Sequence, residues 1–198
     1  DKYLAELPKG DSRGPEPSNI EPWQQMDYGP SLIGTFEIGN NGQNFAYKGN
    51  AIRLDAGPGG VASGRDWIIY DLDTMRVAAA WQGQGFVDWN GINFNGRHGI
   101  HPRIVGDLLF QNLTGPGWAG PDEQSFEDPR FVGRDDRKYG PLPQDWAHYK
   151  GMYSHGPDTV LKYTVGETEL MEMPAMKRMG DTAVILRHLH IRPNKTPL

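Results

Sequence analysis

The residues of this chain that are best suited to chemistry form one short segment, His98-Gly99-Ile100-His101-Pro102-Arg103. It holds two of the six histidines of the chain, followed at once by a proline and an arginine. Imidazole both binds metal ions and titrates near neutral pH, so such a cluster indicates a ligand or metal site. His98, His101 and Arg103 are therefore the first candidate site residues.

A metal centre would need more ligands than this segment supplies. Three or four side chains must converge on the ion, whereas His98 and His101 are only a local pair. The residues that could complete the set are His148, His155, Asp88 and Asp107. The alternative, which we favour, is a loop corner in which one imidazole bonds to loop backbone and the other faces solvent. Metal binding stays open at this point.

Two further groups of residues could bind a ligand. Met173 or Met176 could ligate haem together with a histidine, but methionine is also a flexible filler of cores, and we favour that role. Trp118 and Trp146 lie in glycine- and proline-rich segments and could stack on a sugar, or else cover one end of a sandwich. The complete predicted set of ligand-binding residues is His98, His101, Arg103, Trp118, Trp146 and His148.

No catalytic set stands out in the sequence. Carboxylate pairs of the kind used in glycoside hydrolysis recur along the chain, and none is singled out. The sequence contains no nucleophile elbow, phosphate-binding loop or dinucleotide fingerprint. Cysteine is absent, which removes thiolate catalysis, disulfides and covalent attachment of haem c within this chain. We therefore predict no catalytic residue and no cofactor in the chain itself.

The composition predicts an all-β protein. A chain of 198 residues can bury a proper core, and its 26 glycines and 16 prolines punctuate short apolar runs. About nine or ten strands can be drawn, with no helix and no repeat of propeller-blade length. We therefore predict a single antiparallel β-sandwich, jelly-roll-like, with long Pro/Gly-rich loops. The net charge of −5 is spread without a basic face, which argues against a nucleic-acid partner, and no apolar run could cross a membrane.

Three regions can be distinguished along the chain. Residues 1–22 are predicted to form an extended N-terminal arm, because prolines interrupt any regular element there. Residues 23–198 are predicted to form the sandwich domain, in which 111–147 is a long irregular loop. The predicted strands are 32–38, 44–54, 67–70, 75–81, 104–109, 149–154, 159–165, 167–173 and 182–191, with a further hairpin of 86–89 and 92–94 around Asn90-Gly91.

Eight strings of the sequence, in the same order, resemble one known family. They are 26–30 (MDYGP), 46–54 (AYKGNAIRL), 94–99 (FNGRHG), 115–119 (GPGWA), 125–130 (SFEDPR), 139–143 (YGPLP), 145–151 (DWAHYKG) and 161–166 (LKYTVG). The family is an uncharacterised domain near the N-terminus of large exported proteins of the planctomycete–verrucomicrobial group. There it commonly precedes a β-propeller-like region and a c-type cytochrome domain. The resemblance spans roughly residues 23–198.

The resemblance implies an exported protein, periplasmic or at the cell surface, that is associated with haem-c electron transfer. It supplies no catalytic residue. Because this chain carries no cytochrome motif of its own, we expect either a separate haem subunit as partner or a shortened relative.

Two hypotheses for the function follow, from different classes. The first is a non-catalytic binding or assembly domain that docks onto a c-type cytochrome partner through the arm and the 111–147 loop. The alternative is a carbohydrate-binding or carbohydrate-active sandwich that uses Trp118 and Trp146. A weaker alternative is a metal- or haem-binding domain.

Overall fold

A computed structural model of the chain describes residues 22–39, 42–92, 100–121 and 125–194. Within these ranges it contains thirteen β-strands, two short 3-10 helices (Pro22–Gln25 and Val61–Ser63) and no α-helix. The all-β prediction is therefore confirmed. The described part of the chain has no helix long and apolar enough to span a bilayer.

The strands form two main sheets and one short hairpin. Their bounds are β1 Ser31–Glu37, β2 Phe45–Arg53, β3 Asp66–Asp71, β4 Arg76–Gln82, β5 Val87–Asp88, β6 Arg103–Ile104, β7 Asp107–Gln111, β8 Phe131–Val132, β9 Lys138–Tyr139, β10 Ala147–His155, β11 Asp158–Val165, β12 Thr168–Met179 and β13 Thr182–Ile191. The large sheet has the order β5-β6-β1-β2-β3-β4-β7, the small sheet has the order β10-β11-β12-β13, and β8 pairs with β9.

The large sheet is mixed rather than wholly antiparallel, which corrects one part of the predicted architecture. Strands β1 to β4 form an antiparallel meander, but β6 joins β1 in parallel, with Glu37 opposite Arg103. The sequence predicts strands 86–89 and 104–109 here, whereas the structure has the two-residue strands β5 and β6. Strands of two residues carry no periodicity by which a sequence could identify them.

On one face of the large sheet, side chains from its two ends pack against each other. Trp67 of β3 stacks on Trp81 of β4 with ring centroids 5.6 Å apart, and Phe86 lies 6.1 Å from Trp81. Val87 of β5 and Ile104 of β6 belong to the same buried cluster. Because β4 lies near one edge of the sheet and β5–β6 form the other, the sheet must curl to bring them together.

The other face of the large sheet packs against the small sheet. Alternate residues of a strand face the same side, and on this side Ile68 and Tyr70 of β3 meet Leu161 of β11 and Leu170 of β12 in one buried cluster. Two sheets enclosing a shared core are a sandwich-like arrangement, as predicted. The antiparallel hairpins β10–β11, β11–β12 and β12–β13 hold the small sheet together.

Strand β12 runs six residues beyond its predicted end at Met173 and contains Pro174. A proline cannot donate to a ladder, so it is expected where one side of a strand is unpaired. The β11–β12 register ends at Leu161–Glu172, and Pro174 pairs only with Arg187 of β13. The proline therefore lies where β12 has lost its β11 neighbour.

Two predicted connections differ from the structure. Residues 111–147 contain the hairpin β8–β9, whose turn has a hydrogen bond from Gly133 N to Arg137 O. At Asn90-Gly91 the chain does turn, and Ile92 N bonds to Trp89 O, but β5 pairs with β6 rather than with residues 92–94. Of the predicted second strand, residues 93 and 94 lie outside the described residues.

Candidate functional site

An open cleft lies where β2 meets the β8–β9 hairpin. Its volume is about 330 Å³, and its walls combine aromatic rings with charged side chains. The lining residues are Gln43, Phe45, Tyr47, Thr114, Asp128, Asp136, Arg137 and Lys138. We call this feature the aromatic cleft.

Two rings line the aromatic cleft, and a third packs against them. Phe45 and Tyr47 of β2 are stacked, with centroids 5.5 Å apart. Tyr139 of β9 lies 4.6 Å from Tyr47, tilted by 42°. His101 meets the edge of Phe45 at 5.7 Å. One predicted ligand residue, His101, therefore lies at the end of this series of rings.

The β8–β9 turn places an arginine over these rings. The guanidinium carbon of Arg137 is 4.7 Å from the centroid of Phe45 and 5.9 Å from that of Tyr47, within the range of cation–π attraction. Asp135 fixes the arginine, since its Oδ2 accepts a hydrogen bond from Arg137 Nε at 2.7 Å and another from the Tyr139 hydroxyl. A Cβ on Gly133 would lie 2.6 Å from Cε2 of Tyr139, so only glycine lets the turn close on that ring.

Two groups at the aromatic cleft, Asp135 and Tyr47, have pKa values shifted away from neutrality. The hydrogen bond from Tyr139, together with those from Arg137, lowers the pKa of Asp135. Burial, and then the hydrogen bond with Tyr139, raise the pKa of Tyr47, which therefore stays a neutral phenol. These groups can donate and accept hydrogen bonds, but none is tuned to exchange a proton near pH 7.

A buried arginine anchors the floor of the cleft. Arg76 is 2% exposed and donates to Phe45 O at 2.9 Å, to Asn44 Oδ1 at 3.0 Å and to Asn112 O at 2.7 Å. Its guanidinium also lies 3.6 Å from Asp71. Burial raises the pKa of Asp71 despite this neighbour. Arg76 thus holds the β2 backbone at Phe45, which fixes where the ring series begins.

A second arginine supports the wall opposite. Arg130, 6% exposed, donates to both oxygens of Asp128, at 2.9 Å from Nε to Oδ1 and 2.8 Å from Nη2 to Oδ2, and also to Gly140 O at 3.1 Å. Burial tends to raise the pKa of Asp128, but the hydrogen bonds from Arg130 outweigh it and the pKa is lowered. Arg130, in the loop before β8, therefore holds that loop against Gly140, the residue after β9.

Away from the cleft, the core between the sheets contains a fully bonded carboxylate. Glu172, 1% exposed, accepts hydrogen bonds from the hydroxyls of Tyr70 at 2.7 Å and Tyr163 at 2.6 Å. Arg187 donates to its two oxygens at 2.5 and 3.0 Å. Burial favours the neutral acid, but these donors prevail and lower the pKa of Glu172. The group is a structural anion rather than an acid or base open to a substrate.

The structure places the other predicted site residues in separate regions. His98 lies outside the described residues. Arg103 forms an ion pair with Asp88 at 2.9 Å, between β6 and β5. Among the described residues no group of three or more His, Asp or Glu side chains could hold a metal ion. The metal hypothesis for His98 itself remains a prediction.

Trp118, Trp146 and His148 lie beside the core between the sheets. Trp146 is 7% exposed, and its indole N–H donates to Trp118 O at 2.9 Å. The ring of Trp118 lies 6.0 Å from that of Tyr163. His148 on β10 pairs with Thr164, and its Nδ1 is buried with no hydrogen-bond partner among the described residues. A ligand role for these three residues stays a prediction, and Trp146 has little surface to offer one.

Sequence reasoning missed most of the aromatic cleft. Neither Tyr139 nor the acidic pair Asp135-Asp136 belongs to the predicted ligand-binding set, and Phe45 and Tyr47 have the pattern of ordinary strand residues. The two halves of the cleft are separated by roughly ninety residues, a separation that no local pattern spans. The one local signal is the run Asp135-Asp136-Arg137-Lys138-Tyr139, in which charges and an aromatic ring follow a glycine.

Comparison with known proteins identifies the family. The model of the domain of unknown function DUF6797 matches residues 68–172, which is more than half of the chain. The chain belongs to this family. Within the fold, the DUF6797 match runs from β3 to β12 and includes the β8–β9 hairpin with Arg137 and Tyr139. No curated protein and no solved structure matches the chain.

Proposed function

We propose that this DUF6797 protein is a non-catalytic binding domain of an exported complex, and that the aromatic cleft binds its ligand, a neutral carbohydrate. The observation that carries the proposal is the half-buried ring of Tyr47 beside the fixed side chain of Arg137 in an open cleft, with Phe45 and Tyr139 packed against that ring. Binding sites in proteins combine apolar surface with a few oriented polar groups, and this cleft has both.

The state of the carboxylates favours binding over catalysis. Asp128 is occupied by Arg130, Asp135 by Arg137 and Tyr139, and Glu172 by Arg187. A general acid needs a pKa raised toward neutrality, whereas the pKa of each of these three groups is lowered. Burial raises the pKa of Asp71, but this side chain is fully buried and out of reach of a ligand. The pairs serve to hold geometry, which is what a rigid binding surface requires.

The charge balance of the cleft favours a neutral ligand. Two carboxylates (Asp128 and Asp136) and two cations (Arg137 and Lys138) line it. An ionic ligand would meet no net opposite charge there. A sugar instead offers C–H faces that can lie on a tyrosine ring and hydroxyls that can bond to guanidinium, carboxylate and amide groups.

Isothermal titration calorimetry with a panel of uncharged oligosaccharides tests this proposal, with sulfated and uronic-acid oligosaccharides as the ionic comparison. Tyr47→Ala and Arg137→Ala should each weaken binding of the neutral ligand by about tenfold, since stacking and oriented hydrogen bonds are each worth about 1 kcal/mol or more. Tyr153→Ala is the matched control, because Tyr153 is an exposed tyrosine of the small sheet. Binding that survives both cleft variants, or no binding of any neutral oligosaccharide at millimolar concentration, would exclude the cleft as a sugar site.

The identity of the complex is proposed from the family resemblance alone. We propose a c-type cytochrome as the haem-bearing partner of the exported protein, with no cofactor in this chain. Co-purification from the native source, followed by haem staining and an absorption spectrum, tests this. The comparison of the whole chain with one that lacks residues 1–22 tests docking by the arm, and unchanged association would count against it.

A further inference from the structure

The edge strands of the two main sheets differ in how well they are protected against further pairing. Edge strands are usually kept from joining other strands by shortness, bulges, charges or proline. In the large sheet β5 has two residues, and β7 has five residues and a register shift against β4. In the small sheet β10 has a register shift between Tyr149 and Gly151. These three edges are therefore protected.

Strand β13 has none of these protections. It is ten residues long and pairs with β12 in unbroken register, from Thr182–Met179 to Ile191–Leu170. No strand of the described residues pairs with its other side. It contains no proline, glycine, lysine or acidic residue, and its one arginine, Arg187, is held by Glu172. Leu189 and Ile191 on this strand are 41% and 47% exposed.

We propose that β13 pairs antiparallel with β13 of a second copy of this chain, so that two small sheets become one eight-stranded sheet across a two-fold axis. A two-fold axis normal to the sheet keeps each face of one β13 on the same side as that face of the other copy. Directly opposed residues therefore come from the same face, and one residue of β13 must lie opposite its own copy. With Leu186 at the axis, residues 182–190 overlap completely and no like charges meet. Moving the axis to Arg187 would set two arginines directly against each other, which is unfavourable.

The Leu186 register is also chemically consistent along both faces. On one face Val184 lies opposite His188 of the second copy, and Leu186 lies opposite its own copy. On the other face Ala183 lies opposite Leu189 of the second copy, which covers a side chain that is exposed in the single chain. Ile185 lies opposite Arg187, whose charge is paired with Glu172 of its own chain. This register therefore sets no two like charges directly against each other.

The absence of cysteine from the chain allows a sharp test of the register. In Leu186→Cys the two sulfurs would lie on strands whose Cα atoms are about 4.5–5.5 Å apart at the axis, within the range that a disulfide spans. Ala175→Cys is the matched control, because Ala175 pairs with Leu186 one strand further in, about 14 Å from its own copy. Under mild oxidation we expect a covalent dimer from L186C and none from A175C, each variant unfolding at the wild-type temperature when reduced.

Light scattering on the unmodified protein gives the second measurement. We expect a mass twice the 22.1 kDa of one chain, and a fall to one chain for Leu186→Lys, which sets two ammonium groups against each other at the axis. A wild-type mass of one chain at millimolar concentration, or equal cross-linking of L186C and A175C, would overturn the proposal. Hydrogen exchange of the β13 amides, measured in the whole chain and in a chain without residues 1–21, gives a further check. If the whole chain is monomeric and these amides lose their protection only when residues 1–21 are removed, the proposal is overturned, and residues 1–21 pair with β13 instead.

Discussion

Replacing Glu172 by glutamine should destabilise the fold strongly at neutral pH and much less in acid. The carboxylate accepts four hydrogen bonds, two from tyrosine hydroxyls and two from Arg187. An amide of the same shape keeps one acceptor oxygen, but it presents N–H groups to donors and leaves the guanidinium without its counter-charge.

The size of the effect can be worked from these contacts. A hydrogen bond to a charged group contributes about 1.5–3 kcal/mol, and breaking a buried ion pair costs about 3–5 kcal/mol. The side chain of Arg187 is 39% exposed, so water recovers part of the loss, and we expect the low end of the range, about 3 kcal/mol. For a chain of this length that corresponds to a fall in Tm of about 6–12 °C.

The pH dependence of Tm shows whether the charge of Glu172 stabilises the fold. Because the folded-state pKa of Glu172 is lowered from its ordinary value of 4.5, its stabilising contribution is complete above that value and is lost as pH falls through the folded-state pKa. The difference in Tm between the wild type and E172Q should therefore be full at pH 7 and should shrink below pH 4.5. Glu167→Gln is the control, since Glu167 is exposed in the turn before β12 and should leave Tm unchanged.

Circular dichroism melts of the three proteins at pH 7 and at pH 3.5 measure both effects. A Tm of E172Q within about 2 °C of the wild type at pH 7 would refute the assigned network. A difference that is equally large at both pH values would show that shape, and not charge, accounts for the loss.

Three further substitutions separate structural from surface roles. Gly117→Ala should lower stability by about 2 kcal/mol or more, because its Cβ would lie 2.1 Å from Met75 O; an unchanged denaturant midpoint would contradict the tight turn. Trp146→Ala should cost about 3–5 kcal/mol in the same assay without any ligand present, and a mild effect would contradict its place in the core. Arg103→Ala should change stability by less than about 1 kcal/mol, since its ion pair with Asp88 is partly exposed; a larger loss would mean that the pair does more than the contacts indicate.

Strand positions could be predicted where runs of β-forming residues are long and bounded by turn residues. The predicted strand 182–191 coincides with β13, 32–38 is displaced by one residue at each end from β1, and 159–165 begins one residue after β11. In β11 side-chain burial alternates with the backbone pleat, so the period of two is visible in the sequence. The strand pairing of β5 with β6, and of β6 with β1, could not be predicted, because strands of two residues have no period and their partners are set by the curl of the whole sheet.

The candidate site was less predictable than the fold. His101 was noted for its imidazole, but its place at the aromatic cleft depends on Phe45, which lies on a strand far away in the sequence. Trp146 was noted as an aromatic residue in a loop, and it is the inter-sheet packing that buries it. Residue type therefore identifies side chains that are able to bind a ligand. Whether such a side chain is exposed, and which residues surround it, depends on long-range contacts that the sequence does not reveal.

The arginine–carboxylate pairs explain why a chain with many charged residues offers little acid–base chemistry. The pairs Asp71–Arg76 and Glu172–Arg187 each join neighbouring strands, and Asp128 holds Arg130 where it donates to Gly140 O after β9. Five of these six residues lie within the region 68–172 that defines the family. A buried ion pair contributes less to stability than to the choice of one arrangement among several, because desolvation offsets most of the attraction. We infer that the family region supplies a rigid frame, and that the aromatic cleft and the free edge of β13 are the surfaces proposed for binding because the ion pairs leave their charges balanced.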